Sequence, residues 1–297
     1  MYFEEIINAQ TTKTNKEIYL KSSCNLNINA DALVIQIKDN KIVYKNCSNN
    51  TWVQRDLAYT QLIQETLNKH TIKDCIIKFA LGDQPIKGYF NFCRRKNEDG
   101  YFLIPNFRFI NDNIVNTQYY KWKNNSYTWN NTIDYIKNND KHITEKEEKF
   151  YFMGNNGHSQ RKKYFELMKN NKKIYDGYHW GNGSSFKHFS EYFNYKFTIY
   201  IDGITNSDRF RLLLLLNSVP FHCKSPYEEF YTYLLKHEEN YIEFNDVSEL
   251  ETLYSKYKNN DELLNKINNN NKQFIKDILS YENILKYVSG LLNKLNE

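Results

Sequence analysis

Three short apolar runs in the second half of the chain each lead through a polar loop into a stretch of helical character. KFYFMG (149–154) leads into NNGHSQRKKYFELMKN, KFTIYIDG (196–203) into ITNSDRFRLLLLLNS, and VPFHC (219–223) into YEEFYTYLLKH. The aromatic and β-branched runs read as strands. Asp202-Gly203 is a turn signal, and Ser207 or Asp208 can cap a helix that carries five consecutive leucines, Leu212 to Leu216. Strands that alternate with helices predict an α/β fold with a parallel sheet covered on both faces. In such sheets ligands bind at the carboxyl ends of the strands.

Two of these strand-to-helix loops carry arginine near the expected helix start: Arg161 in the first, Arg209 with Arg211 in the second. A helix start favours an anion nearby, so a cation there raises the question of a bound phosphate. Glycine, Asn and Ser in both loops can offer backbone N–H groups, and guanidinium groups contact phosphate in bidentate fashion. The competing reading is that Arg209 and Arg211 neutralise Asp202, Asp208 or nearby carboxylates. Neither G-x-x-x-x-G-K-[ST] nor G-x-G-x-x-G occurs, so P-loop and dinucleotide-binding readings are not supported.

In the first half, ALVIQIKDNKIVYKN (32–46) alternates on both sides of Asp39-Asn40, which predicts a hairpin. A helix is expected near residues 57–68. KDCIIKFALGDQP (73–85) reads as a strand ending in a Gly-Asp turn, and GYFLIPNFRF (100–109) as another strand. Asp83 ends an apolar strand, where catalytic carboxylates are often presented; an ordinary turn aspartate is the alternative. Residues 111–146 are polar, and the composition shift at their end sets the expected domains at 1–145, 146–272 and 273–297. The chain is expected to be helical from Val247 onward. Phe274, Ile278, Tyr281, Leu285, Val288 and Leu292 form one apolar stripe at helical spacing, read as a helix packing back on the domains.

The net charge of +5 arises from 40 basic and 35 acidic residues spread along the chain, without the basic patch of a nucleic-acid binder. Cys24, Cys47, Cys75, Cys93 and Cys223 are widely spaced and odd in number, indicating neither a zinc site nor a disulfide framework. No apolar run approaches the ~20 residues that span a bilayer. The opening residues lack the basic and apolar regions of a signal peptide. A soluble cytoplasmic protein is expected. The sequence has no D-x-D and no H-x-x-x-H, and no metal site is expected.

From about Ala32 onward the chain resembles glycosyltransferase family 90, the group of capsule-associated proteins and Rumi-type protein O-glucosyltransferases. The strongest likeness is YKFTIYIDGITNSDRFRLLLLLNSVPFHCKSPYEEFYTYLLKHEENYIEFNDVSELETL, an ordered block far more specific than any one motif in it. FYFMGNNGHSQR resembles the family's F-R-G-S segment, FALGDQPIKG its V-R-D-x-P loop, and LVIQIKDNKIVYKN its early hairpin. The resemblance implies a GT-B fold: two Rossmann-like α/β domains facing across a cleft, with the nucleotide on the C-terminal one. It implies an inverting transfer of glucose or xylose from a UDP-sugar to a glycan or protein hydroxyl, with no metal or other cofactor. On that resemblance Asp83 falls on the catalytic base and Arg161 on an arginine that contacts UDP. Ile204, Thr205, Asn206, Ser207, Asp208 and Arg209 fall on the loop that grips the diphosphate. Gly154, Asn155, Gly203 and Glu229 complete the implied donor-binding set. Met153 and Asn155 depart from the arginine and serine of F-R-G-S, and Ala80 from a residue beside the R-D pair. A silent nucleotide-sugar binder of the same fold is the alternative reading.

Overall fold

Asp39 and Asn40 adopt positive φ angles of 50° and 57°, the backbone of a two-residue hairpin turn. They join β1 (Ala32–Lys38) to β2 (Lys41–Cys47), in the antiparallel register Lys38↔Lys41. The structure is a computed structural model and describes residues 2–11, 31–47, 52–110, 128–181 and 187–297; Cys24 and the first part of the polar 111–146 stretch lie outside them. On the other side of β1 lies β3 (Cys75–Ala80), with Ile35 opposite Ile77. The short strands β4 (Phe90–Asn91) and β6 (Phe102–Leu103) extend the sheet to the order β2-β1-β3-β4-β6, and β5 (Arg94–Arg95) lies between them in sequence.

One helix, α1 (Tyr2–Gln10), precedes this sheet. A longer one, α2 (Val53–Lys69), covers it, burying Ala58, Tyr59, Leu62, Ile63 and Leu67. Tyr59 stacks on Phe79 with ring centroids 4.7 Å apart. GYFLIPNFRF contributes only the two residues of β6, because the Asn106 side chain accepts from Arg108 N–H and starts a 3-10 turn, Phe107–Phe109. A helix not apparent from the sequence, α3 (Trp129–Asn139), ends the polar stretch; the Trp129 indole donates to Leu279 O at 2.5 Å.

The second sheet is entirely parallel. Its strands are β7 (Glu147–Gly154), β8 (Tyr175–His179), β9 (Tyr195–Tyr200), β10 (Val219–Cys223) and β12 (Ile242–Phe244), with α4 (Ser159–Asn170) crossing between the first two. The spatial order is β12-β10-β9-β7-β8. The chain therefore lays β8 on one side of β7 and then reverses to build outward on the other. Alternation along β7 sends Phe150 and Phe152 into a core with Tyr164, Leu250 and Leu264. Tyr151 and Met153 enter the opposite core, which also holds Ile35 and Phe79 of the first sheet. Burial on both faces explains why these strands read as continuous apolar runs.

Three expectations are corrected. The leucine run forms only a single turn of helix, α5 (Phe210–Leu213), which Arg209 precedes without a side-chain cap; Asp208 pairs with Arg108 instead of capping. YEEFYTYLLKH is not a helix. Tyr227–Glu228 forms β11, antiparallel to β5, and a 3-10 turn, Thr232–Leu234, follows. Ser225 Oγ accepts from Tyr227 N–H and Thr232 Oγ1 from Glu229 N–H, local bonds that compete with helix formation. The C-terminal stripe belongs to two helices, α7 (Asp261–Asp277) and α8 (Tyr281–Leu295), which follow α6 (Leu250–Tyr257). Ser280 caps α8 through Asn283 N–H, and Asn293 Nδ2 donates to Thr71 O, tying α8 to the end of α2. A Cβ on Gly290 would lie 2.6 Å from Ile7 Cδ1, so glycine lets α1 approach α8 closely. Among the described residues no helix is long and apolar enough to cross a membrane.

Candidate functional site

Where the order of a parallel sheet reverses, adjacent loops leave in opposite directions and open a crevice at the strands' carboxyl ends. Here that point lies between β7 and β9. A cavity of about 270 Å³ occupies it. One wall consists of Asn155, Arg161 and residues 203–208; the facing wall carries Arg55, Asp83, Phe107 and Arg108.

Arg161 comes from the first turn of α4, where His158 caps the helix by accepting from Gln160 N–H. Its Nη1 donates to Asn155 Oδ1 at 3.0 Å and its Nη2 to Ile201 O at 2.9 Å. Its buried Nε has no hydrogen-bond partner among the described residues. Burial, reinforced by the nearby charge of Arg209, lowers Arg161 to about 10. Both guanidinium groups share one aromatic ring: that of Arg161 lies 5.5 Å from the Phe152 centroid and that of Arg209 lies 5.7 Å from it. Gly154 makes this possible, since a Cβ there would sit 2.6 Å from Phe152 Cζ. Arg161, which lines the cavity, is bonded to neutral oxygens and repelled by Arg209, with Asp202 only partly offsetting that repulsion, so an anion in the cavity would be favoured beside it.

Arg209 lies behind this wall, against Trp180 at 5.5 Å, and does not line the cavity. Arg211 faces away altogether, buried near the rings of Phe109 and Trp129 at 5.0 and 4.7 Å. Within the 203–208 loop a Cβ on Gly203 would lie 3.6 Å from Arg161 Nη2, Thr205 is buried, and Ile204 is 79% exposed. Ser207 N–H is not open to a ligand, because it donates to the Tyr200 hydroxyl at 2.8 Å. Asp208 pairs with Arg108. Burial would raise its carboxyl, but Arg108, Arg211, Arg209 and Arg55 together hold it below its ordinary value. Asp83, on the opposite wall, keeps a half-exposed side chain and accepts from Arg55 Nη2 at 2.7 Å. Arg55 and Arg108 had no local signal in the sequence; each is paired with a residue distant along the chain.

Glu229 is not in this cavity. It lines a neighbouring one of about 300 Å³ with Tyr200, Phe210, His222 and Tyr241, and Asn206 lines both. Burial pushes the Glu229 carboxyl up to about 8; Arg211 opposes the shift and Asp208 reinforces it. Between its ordinary value of 4.5 and about 8, the folded chain holds a proton that the unfolded chain has released. Stability then falls as pH rises through that window, by at most about 1.4 kcal/mol per pH unit from this group. Glu229→Gln is expected to flatten the decline in urea-unfolding free energy between those two pH values. Parallel declines in variant and wild type would mean that Glu229 is ionised in the fold.

Fold and site together define an α/β protein with a guanidinium group facing a carboxylate across a cavity at the switch point of a parallel sheet. The chain belongs to glycosyltransferase family 90, whose model, Glycosyl transferase family 90, matches residues 14–297. Over 167 residues it is 28% identical to protein O-glucosyltransferase 1 of Rattus norvegicus and 27% identical to that of Homo sapiens. Each match covers 52% of this chain and 43% of the relative, so the chain aligns with less than half the length of these curated relatives.

Proposed function

We propose that the chain transfers glucose or xylose from a UDP-sugar to an acceptor hydroxyl, with inversion and without a metal ion. One observation carries this reading: Asp83 shares a cavity with Arg161 and the 203–208 loop, a carboxylate on one wall and an anion-seeking guanidinium on the other. In this reading residues 1–145 and 146–272 are the two halves of a GT-B fold, and residues 273–297 pack across them. The acceptor oxygen attacks the sugar's anomeric carbon as its proton passes to Asp83. The bond from that carbon to the β-phosphate oxygen breaks, and its electron pair leaves with UDP. Arg161, with Arg209 behind it, meets the charge that grows on the diphosphate, where fixed cations act most strongly. Attack opposite the departing UDP inverts the centre. Glu229 and Asn206 hold the nucleotide from the adjoining cavity.

Calorimetric titration with UDP, run beside transfer assays with UDP-glucose and UDP-xylose, tests the reading. Arg161→Met is expected to weaken UDP binding by about 1.5–3 kcal/mol, the range for hydrogen bonds to charged groups. Equal affinity in a folded variant would remove the diphosphate from this cavity. UDP binding without turnover of either donor would favour the silent binder.

A further inference from the structure

We propose that Arg55 is a positioning residue that fixes the Asp83 carboxylate for proton transfer; this rests on the base role proposed for Asp83. Arg55 sits in the first turn of α2, where a cation is mildly disfavoured by the helix dipole, and Trp52 before it offers no side-chain cap. Its guanidinium nevertheless turns towards the cavity and makes two bonds to one short loop. Nη1 donates to Leu81 O at 2.5 Å and Nη2 to Asp83 Oδ1 at 2.7 Å. Leu81 is held from its other side as well, its N–H donating to Asp31 O at 2.8 Å. Three aromatic rings confine the guanidinium: Trp52 at 4.2 Å, Phe107 at 4.7 Å and Phe92 at 5.7 Å.

The Leu81 bond and the aromatic cage stabilise the placement of Arg55, but stability does not account for its bond to Asp83. The Asp83 side chain is 49% exposed, and an ion pair to a carboxylate that open to water contributes about 0–1 kcal/mol. The Arg55 side chain is only 15% exposed, so a desolvated, caged cation is used to hold a solvated anion. The arrangement makes sense as orientation. With Oδ1 engaged by Arg55, Oδ2 remains for the acceptor hydroxyl, and the loop cannot swing the carboxylate out of reach. A planar fork can grip Leu81 O and Asp83 Oδ1 together, whereas an ammonium is a single point of charge.

Steady-state transfer kinetics of Arg55→Met and Arg55→Lys, each with Asp83 and with Asp83→Asn, test the proposal alongside hydrogen exchange over residues 81–85. Arg55→Met is expected to lower kcat by about 10²-fold, the cost of a misplacement of roughly 1 Å, at unchanged donor KM. Arg55→Lys should recover part of the loss, and neither change should add to the effect of Asp83→Asn. Faster exchange over residues 81–85 should accompany the loss. Unaltered kcat, or a raised donor KM alone, would overturn the proposal, as would a full additional loss in the Asp83→Asn background. If Asp83→Asn itself leaves the rate intact, the base role fails, whatever Arg55 does. Unchanged exchange in Arg55→Met overturns the proposal even where no transfer is seen, and Arg55→Lys provides the same readout if Arg55→Met does not fold.

Discussion

Asp83→Asn is expected to slow sugar transfer by about 10²–10⁴, the usual contribution of a general base, and to leave UDP affinity unchanged. Asparagine keeps the shape of the side chain. Its amide oxygen can still accept from Arg55 Nη2, which now lies 2.7 Å from Oδ1, so the loop should stay in place. What is lost, on the role proposed for Asp83, is the ability to take the acceptor's proton as the new bond forms. UDP is held from the opposite wall, by Arg161 and the 203–208 loop in the proposed reading, and has no reason to bind differently. Initial transfer rates for wild type and variant, with UDP affinity measured on the same samples, decide the matter. Transfer at the wild-type rate would make Asp83 an ordinary turn residue and move the base elsewhere.

The second large effect concerns stability. Lys146 and Asp140 form an ion pair at 2.5 Å with side chains 0% and 1% exposed. Lys146 Nζ also donates to Ser218 Oγ at 2.8 Å, and Asp140 Oδ2 accepts from Asn217 N–H at 2.5 Å. The cluster joins the end of α3, the segment before β7 and the end of the leucine run. Burial lowers Lys146 to about 8 and raises the Asp140 carboxyl, each partly restored by its partner. Lys146→Ala strands a buried carboxylate, and a loss of about 3–5 kcal/mol in urea-unfolding free energy is expected. Removing both charges, as Lys146→Met with Asp140→Asn, should cost clearly less than the single change. A single variant within the error of wild type would show that water already reaches the pair.

What the sequence made legible was local. Asp39-Asn40 between alternating runs specified the hairpin, and the aromatic runs of β7, β9 and β10 marked a sheet buried on both faces. The loop carrying Arg161 and the loop at residues 203–208 were identifiable because each lies between a strand and a helical segment. Asp83 was identifiable as the acid ending a strand. What stayed hidden depends on partners far along the chain. Arg55 meets Asp83 across 28 residues, and Arg94 meets Glu228 across 134. That second contact, with the ladder beside it, makes a strand of residues spaced like a helix, a tertiary override of local preference. Asp208 read as a cap because Arg108 could not be seen beside it. The break at Ser280 is different: a serine before an apolar periodic run is itself a helix-start signal, and the continuous stripe masked it.

The apolar cluster that holds Ile35 and Phe79 of the first sheet also holds Tyr151 and Tyr200 of the second, with Leu285 and Leu292 of α8. The two sheets therefore share one apolar core, and losing the packing of either would uncover apolar surface of the other. If the nucleotide binds the loops of the second sheet as proposed, it should stabilise the hairpin and α2 as well to the extent that the two sheets open together, because mass action acts on everything that must open at once.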